Sequence, residues 1–422
     1  MLSVLASDIL SLGVAMAFAS WVVFGNPLVW RADTAGQGSP WPFIAFMFGG
    51  AVLASYLSIL TWGKVAPRPS YGRALAIVGI TVGFTALALV VTRVYWSRPL
   101  FLLTAVVWLT LALFHRAVRR QRPWSEQLVL VTAEKSLAED LRDAPHARLI
   151  EVYSPWEQPP ATPVAQEVTL VVDLRAVLSE DMAQFVSSSS IAGTTIRSLT
   201  EVYEEHTGRI PLVHLAEGWE LTQPVARSSY APLKRILDLV VTVLLAPIWV
   251  LVALGVGVAV RLDSPGPIVF RQSRVGRKYR SFTLYKFRTM QADAEADGPQ
   301  FAKVGDPRLT RVGRFLRTSH LDEVPQLWNV VRGELSLVGP RPERPVFVEE
   351  FERTIPFYAS RTVIRPGVTG WAQVNYGYAD DEADTVEKLT YDLYYVKHSS
   401  LWFDIQILGR SIWTVLTGFG AR

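Results

Sequence analysis

The chain contains no cysteine. That excludes a disulfide framework, a thiol nucleophile and every zinc site built on thiolates. Charge is scarce too: Asp, Glu, Lys and Arg make up 19% of 422 residues, against 50% hydrophobic residues. Such a composition excludes disorder and is too apolar for an ordinary soluble protein of this length. The surplus of 42 basic over 38 acidic residues is too small for net charge to argue nucleic-acid binding. The basic start of a signal peptide is also missing, so the N-terminal segment is expected to be retained.

Most apolar residues fall in the first 115 positions, in four uncharged stretches: Ile9 to Trp30, Trp41 to Gly63, Ala74 to Thr92 and Pro99 to Phe114. About 20 residues at 1.5 Å each cross a hydrocarbon core, so three qualify and the fourth is short unless His115 lies at the interface. Trp30, Trp41, Trp62 and Trp96 stand at segment ends, where amphipathic rings favour the headgroup zone. Lys64, Arg68, Arg73, Arg116, Arg119, Arg120 and Arg122 outnumber Arg31, Arg93 and Arg98, which puts both ends of a four-span bundle over 1–122 in the cytoplasm. No Asp, Glu or Lys lies inside the four stretches, so anchoring is a simpler role than ion transport. Buried helices of a large soluble protein are the alternative reading.

From Gln127 short β-branched runs alternate with helical ones: Gln127 to Thr132, Lys135 to Arg142, Arg148 to Tyr153 and Glu167 to Asp173. This predicts an α/β domain over 127–222. Its first strand and turn, LVLVTAEKS, hold no glycine, whereas a dinucleotide fingerprint needs glycine for the backbone to approach a pyrophosphate. The expectation is therefore a degenerate Rossmann-like packing or regulatory module.

A fifth run, Leu239 to Val260, is 22 uncharged residues with Pro247 near its middle, where a proline removes a helical hydrogen bond and kinks the chain. Basic residues flank both ends: Lys234 and Arg235 before, Arg261, Arg271, Arg274 and Arg277 after. Hydropathy leaves two readings equal, a helix that bends at Ala246 and Pro247 and returns, and a kinked fifth span.

Between 261 and 320 there are thirteen Lys and Arg against five Asp and Glu. Arg271, Arg274, Lys286 and Arg288 are interleaved with glycine and proline. Guanidinium forks on such turns suit a diphosphate, although a lipid-headgroup face is the bland alternative for any one of them. Further on come Arg317, the adjacent carboxylates Asp322 and Glu323, Pro340-Arg341-Pro342, and Arg365-Pro-Gly-Val-Thr-Gly-Trp-Ala-Gln373. Acids just before Pro325 would also suit a helix start for electrostatic reasons alone.

In order, the stretches DSPGP, QSRVG, KFRTM, LDEVPQLWN, VGPRP and RPGVTGWAQ closely resemble the bacterial sugar transferase family. Its members are polyprenyl-phosphate glycosyl-1-phosphate transferases that begin exopolysaccharide, capsule and O-antigen repeat units. The resemblance runs from about Lys234 to Arg422, and the segments before it look like the family's large polytopic branch. It implies a mainly α catalytic domain over 232–422, with the proline-broken helix at about 235–261 re-entrant and both its ends cytoplasmic. It also implies transfer of hexose 1-phosphate from a UDP-sugar to undecaprenyl phosphate, with release of UMP, on the cytoplasmic face of a bacterial inner membrane. Glucose or galactose is the family-level expectation, and a homodimer through the α/β domain or the bundle is a further one.

By the same resemblance Asp322 would attack the β-phosphorus to form a sugar-phosphoryl aspartate. Glu323, with Asp322, would hold Mg²⁺, a cation that takes oxygen ligands. Lys286, Arg288 and Arg341 are the choices for the donor's diphosphate or uridine end, with Arg271, Arg274, Arg317 and Gln373 as further substrate-binding candidates; surface salt bridges are the alternative. Asp392 and Asp404 match acidic family positions, with a hydrogen bond to an arginine as the equal alternative. Where many members read Ser-Leu-Asp-Glu, this chain has Ser319-His320-Leu321-Asp322-Glu323, and the histidine in its added position is read as a solvated neighbour. From Ser400 to Thr417, Trp402, Ile405, Leu408, Ile412 and Leu416 recur at near-helical spacing, which suits an interfacial helix or a packed one equally. Two other classes stay open, a non-enzymatic membrane scaffold and a spanning enzyme acting outside the cell.

Overall fold

The computed structural model describes residues 2–31, 39–62, 71–93, 97–120, 124–215, 230–291, 306–376 and 382–417. Lys64, Arg68, Trp96, Arg122 and positions 216–222, all used above, lie outside these residues, as do the side chains of Trp62 and Leu416. Two units are formed, Met1–Trp124 and Ser125–Arg422.

The first unit is four helices: α1 (Leu2–Phe24), α2 (Trp41–Trp62), α3 (Tyr71–Val91) and α4 (Arg98–Arg120). All four are long and apolar enough to cross a membrane. The fourth exceeds its expected length because the helix runs on past His115 to Arg120. Leu12, Ala15, Met16 and Ala19 of α1 form one buried stripe at helical spacing, and Phe43, Met47, Ala51 and Ala54 of α2 form another. Leu10, Val14, Phe18, Val52, Phe84, Leu87, Leu102 and Val106 face outwards. Helices apolar both inside and out require a non-aqueous surround. Trp30 and Trp41, placed at segment ends by the sequence, stack with ring centroids 6.3 Å apart.

One finding was not legible in the apolar runs. The first helix starts upstream of Ile9 and so includes Asp8, which is buried with its carboxylate on Arg116 of α4 at 2.5 and 2.6 Å. His115 Nε2 lies 2.8 Å from the same carboxylate, and Trp108 Nε1 donates to the Asp8 carbonyl. This bidentate pair pins α1 to α4. Removing one partner strands the other charge, so Asp8→Asn is expected to destabilise the unit by about 3–5 kcal/mol. A thermal unfolding midpoint within a degree of the native protein's would show that the pair holds nothing.

In the second unit the α/β region has β1 (Glu126–Val131), α5 (Lys135–Asp143), β2 (Ala147–Tyr153), β3 (Thr169–Val172), α6 (Glu180–Ile191), β4 (Thr195–Ser198) and α7 (Leu199–Thr207). The sheet is parallel in the order β2-β1-β3-β4. Strand order reverses between β1 and β3, where open α/β sheets usually receive ligands. There Asp173 accepts from Thr132 and lies 3.6 Å from His214 Nε2, in the short 3₁₀ turn Leu212–His214. Leu212–His214 thus lies beside that crevice.

The C-terminal region opens with α8 (Tyr230–Leu244) and α9 (Ala246–Asp263), separated at Leu245. The sequence placed Pro247 inside one kinked helix. It stands instead in the first turn of α9, where its missing N–H costs little. Trp249 Nε1 closes the break by donating to the Thr242 carbonyl at 2.9 Å. Ile236, Val240, Val243, Ile248, Leu251, Leu254 and Val258 are exposed along both arms, whereas Asp238 is buried and holds the strand β7 (Ser336–Val338) through Ser336 Oγ and Leu337 N. Lone α9 is long and apolar enough to cross a membrane.

Candidate active site

A hairpin of β5 (Val269–Val275) and β6 (Ser281–Phe287) carries the basic candidates, with Phe270 opposite Lys286 and Arg271 opposite Tyr285. After it come α10 (Arg311–Thr318) and α11 (Gln326–Arg332). Thr310 caps α10 by accepting from Gly313 N, and Gly333, at φ +81°, ends α11. Asn329, fully buried on α11, donates to the Thr283 carbonyl and accepts from Tyr285 N, so β6 is fixed against α11. That contact sets Lys286 beside the turn joining α10 to α11.

Asp322 and Glu323 occupy that turn, a 3₁₀ turn Leu321–Glu323 entered through His320 at φ +56°. The sequence put the pair just before Pro325 at a helix start, and adjacent side chains of an α-helix would lie about 100° apart. In a 3₁₀ turn the separation is about 120°. Both side chains are buried. Glu323 Oε1 accepts from Lys286 Nζ at 2.9 Å and from an Arg341 terminal nitrogen at 2.8 Å. Burial pushes the Glu323 carboxyl up, but the charges of Arg341 and Lys286 outweigh it and hold the group well below the usual carboxylate range. Asp322 behaves oppositely: burial raises its pKa, and Lys286 offsets this only in part. Among the described residues no hydrogen bond occupies the Asp322 carboxylate. Burial also lowers Lys286.

Arg341 is held by its loop. Strands β7 and β8 (Gly367–Thr369) run parallel, and a Cβ on Gly367 would lie 2.1 Å from Gly339 N. The glycines of the VGPRP and RPGVTG stretches are thus needed because two backbones touch there. Arg274, whose pKa burial lowers, donates to the Pro342 carbonyl and pairs with Glu343 at 3.4 Å, bracing the same loop just before α12 (Pro345–Thr354).

Other candidates lie elsewhere. Arg288 is buried, with its guanidinium on the Ser264 and Pro265 carbonyls, so it shapes the DSPGP turn and does not face the dyad. Arg271 is exposed, 6.0 Å from the Tyr285 ring centroid. Arg317 donates to Thr289 Oγ1, and its charge reaches Asp322. Gln373, on α13 (Trp371–Asn375), donates to the Val368 carbonyl at 3.3 Å. Asp404, on α15 (Leu401–Thr417), accepts from Tyr230, Lys234 and Tyr395, none of them an arginine. Asp392, on α14 (Glu382–His398), does pair with an arginine, Arg361, at 2.8 Å. Sequence reading missed Arg361 because its setting, SRTV, carries no charge pattern. On α15 the buried side is Phe403, Asp404 and Ile407, leaving Ile405, Ile412 and Trp413 exposed.

Two neighbouring carboxylates, one neutralised by cations and one without a hydrogen bond among the described residues, stand beside a basic hairpin and a Pro-Arg-Pro loop. The model of the family described as bacterial sugar transferase matches residues 229–418. Among relatives, a UDP-N-acetylgalactosamine-undecaprenyl-phosphate N-acetylgalactosaminephosphotransferase of Aeromonas hydrophila is 43% identical over 254 residues, 60% of either chain. UDP-glucose:undecaprenyl-phosphate glucose-1-phosphate transferases are 40% identical in Xanthomonas campestris pv. campestris, over 48% of this chain and 42% of the relative, and 42% identical in Caulobacter vibrioides, over 46% and 73%. The chain belongs to the bacterial sugar transferase family. It spans 60% and 42% of the length of the first two relatives.

Proposed function

We propose that the protein, anchored in a bacterial cytoplasmic membrane, transfers a sugar 1-phosphate from a UDP-sugar to undecaprenyl phosphate and so starts a lipid-linked repeat unit. The observation that carries this reading is the pair Asp322 and Glu323: Asp322 is buried and, among the described residues, has no hydrogen bond on its carboxylate, and Glu323 is neutralised by Lys286 and Arg341. A carboxylate adds to phosphorus without a proton transfer. Asp322 Oδ attacks the β-phosphorus, the bond to the UMP oxygen breaks, and a sugar-phosphoryl aspartate is left. A phosphate oxygen of the lipid then attacks the same phosphorus, and the Asp322 carboxylate leaves. Lys286 and Arg341 supply positive charge where diphosphate oxygens gather.

Among the described residues no cluster of three or more acidic or histidine side chains could enclose a metal. Two adjacent carboxylates still fit Mg²⁺, which is commonly held by one or two carboxylates plus substrate phosphates. Asp322 and Glu323 would hold it, and it would neutralise diphosphate oxygens. The exposed apolar arms of α8 and α9 suit a helix pair that enters the cytoplasmic leaflet and returns, keeping Lys234 and Arg261 on one side.

The test is UMP release from UDP-glucose, UDP-galactose and UDP-N-acetylgalactosamine with undecaprenyl phosphate and Mg²⁺. One donor is expected to release UMP and label the lipid with sugar phosphate. Release from none, with a relative active in parallel, would refute the reading.

A further inference from the structure

The α/β region takes no part in the chemistry proposed above, yet it grips α14 along three turns. Glu204, buried at the end of α7, accepts from Lys397 Nζ and His398 Nε2, each at 2.8 Å. Arg209 pairs with Glu387, and the Ile210 N–H donates to the Thr390 carbonyl at 3.1 Å. The Gly208 carbonyl accepts from Trp371 Nε1 at 2.7 Å. Gly208 has φ +68°, and a Cβ there would lie 3.0 Å from the Trp371 ring, so the left-handed backbone and the tight approach both favour glycine.

The same helix reaches the dyad's support. Its Asp392, 3% exposed, accepts from an Arg361 terminal nitrogen at 2.8 Å, and that nitrogen also donates to the Arg341 carbonyl at 2.9 Å. Arg341 in turn donates to Glu323. A planar guanidinium has fixed donor directions, so it cannot follow a displaced partner without leaving another. A turn or slide of α14 would therefore have to break one of these bonds or carry the Arg341 main chain with it.

We propose that residues 204–210 of the α/β region set the position of Arg341 against Glu323 through α14, with Asp392 and Arg361 as positioning residues. The α/β region, whose first strand and turn hold no glycine, thereby acts as a brace for the catalytic loop. Only the effect on turnover rests on the proposed function; the mechanical coupling does not.

The test is hydrogen exchange by mass spectrometry on the full chain, comparing native protein with Glu204→Gln/Arg209→Gln and with Asp392→Asn. In both variants peptides covering 336–344 are expected to exchange about tenfold faster, while β1 and β3 keep native rates. A rise confined to 200–214 and 386–398, with 336–344 unchanged, would overturn the proposal and leave α14 a plain strut. Should Asp392→Asn not fold, Arg361→Lys keeps the charge, loses the fork and is expected to speed the same peptides. UMP release is read in parallel: kcat is expected to fall about 2- to 30-fold in the Glu204/Arg209 variant, with Asp392→Glu recovering more activity than Asp392→Asn. A native protein that releases no UMP would defeat the proposed function, while the exchange data would still decide the coupling.

Discussion

Replacing Asp322 by Asn is expected to cut UMP release by at least about 10⁴-fold, the scale seen when a covalent nucleophile is removed from an otherwise intact site. The amide keeps the shape of the carboxylate but has no anionic oxygen to form the bond to phosphorus. A second readout separates nucleophile from bystander. Native protein given a donor labelled in the sugar, without lipid acceptor, should release UMP in a single burst and retain the label on the denatured chain. Hydroxylamine, which cleaves acyl phosphates, should remove it. Asp322→Asn should retain none. Label on the Asn variant would assign the nucleophile to a residue other than Asp322, and native release only when lipid is present would rule out the two-step route and favour direct attack by the lipid phosphate.

The second large effect is expected at Lys286. Lys286→Met should lower kcat by about 10²–10³-fold, the usual cost of deleting one donor aimed at developing charge. Its stability effect should be small. Burial disfavours the Lys286 ammonium, methionine fills a similar volume, and Glu323 keeps Arg341, so the thermal midpoint is expected to stay near the native value. Arg341→Lys should fall between native and Lys286→Met, because charge remains while the fork is lost. A large loss of stability in Lys286→Met with activity nearly intact would mean the cation serves packing. The two substitutions together should cost less than the product of their single effects, since both side chains share Glu323 Oε1.

Much of the site could be read along the chain. Asp322, Glu323, Lys286 and Arg341 were all named from motif order, and the structure brings these four together. Arg288 follows Lys286 by two in the KFRTM stretch, yet the structure does not bring it to the dyad. At the end of β6 it turns back onto the Ser264 and Pro265 carbonyls, a contact no local pattern announces. Asp8 was overlooked because hydropathy begins at Ile9, although the helix does not. Arg361 gave no signal, since its importance comes from partners 20 and 31 positions away.

The sequence by itself determined the helices long enough to span a membrane, the parallel α/β region, the break near Pro247 and the family, because period, length and ordered motifs are local properties. Only the tertiary structure decided which charges meet. Asp8 with Arg116, Asp404 with Lys234, Glu204 with Lys397 and Arg361 with Asp392 join distant parts of the chain. In a buried setting the balance of burial and partners fixes what a carboxyl does: Asp392 is raised because burial outweighs Arg361, whereas Glu323 is held low by two cations that outweigh burial. Composition and spacing carry no record of such pairings, which arise when the packed elements exclude water and leave each charge one place to go.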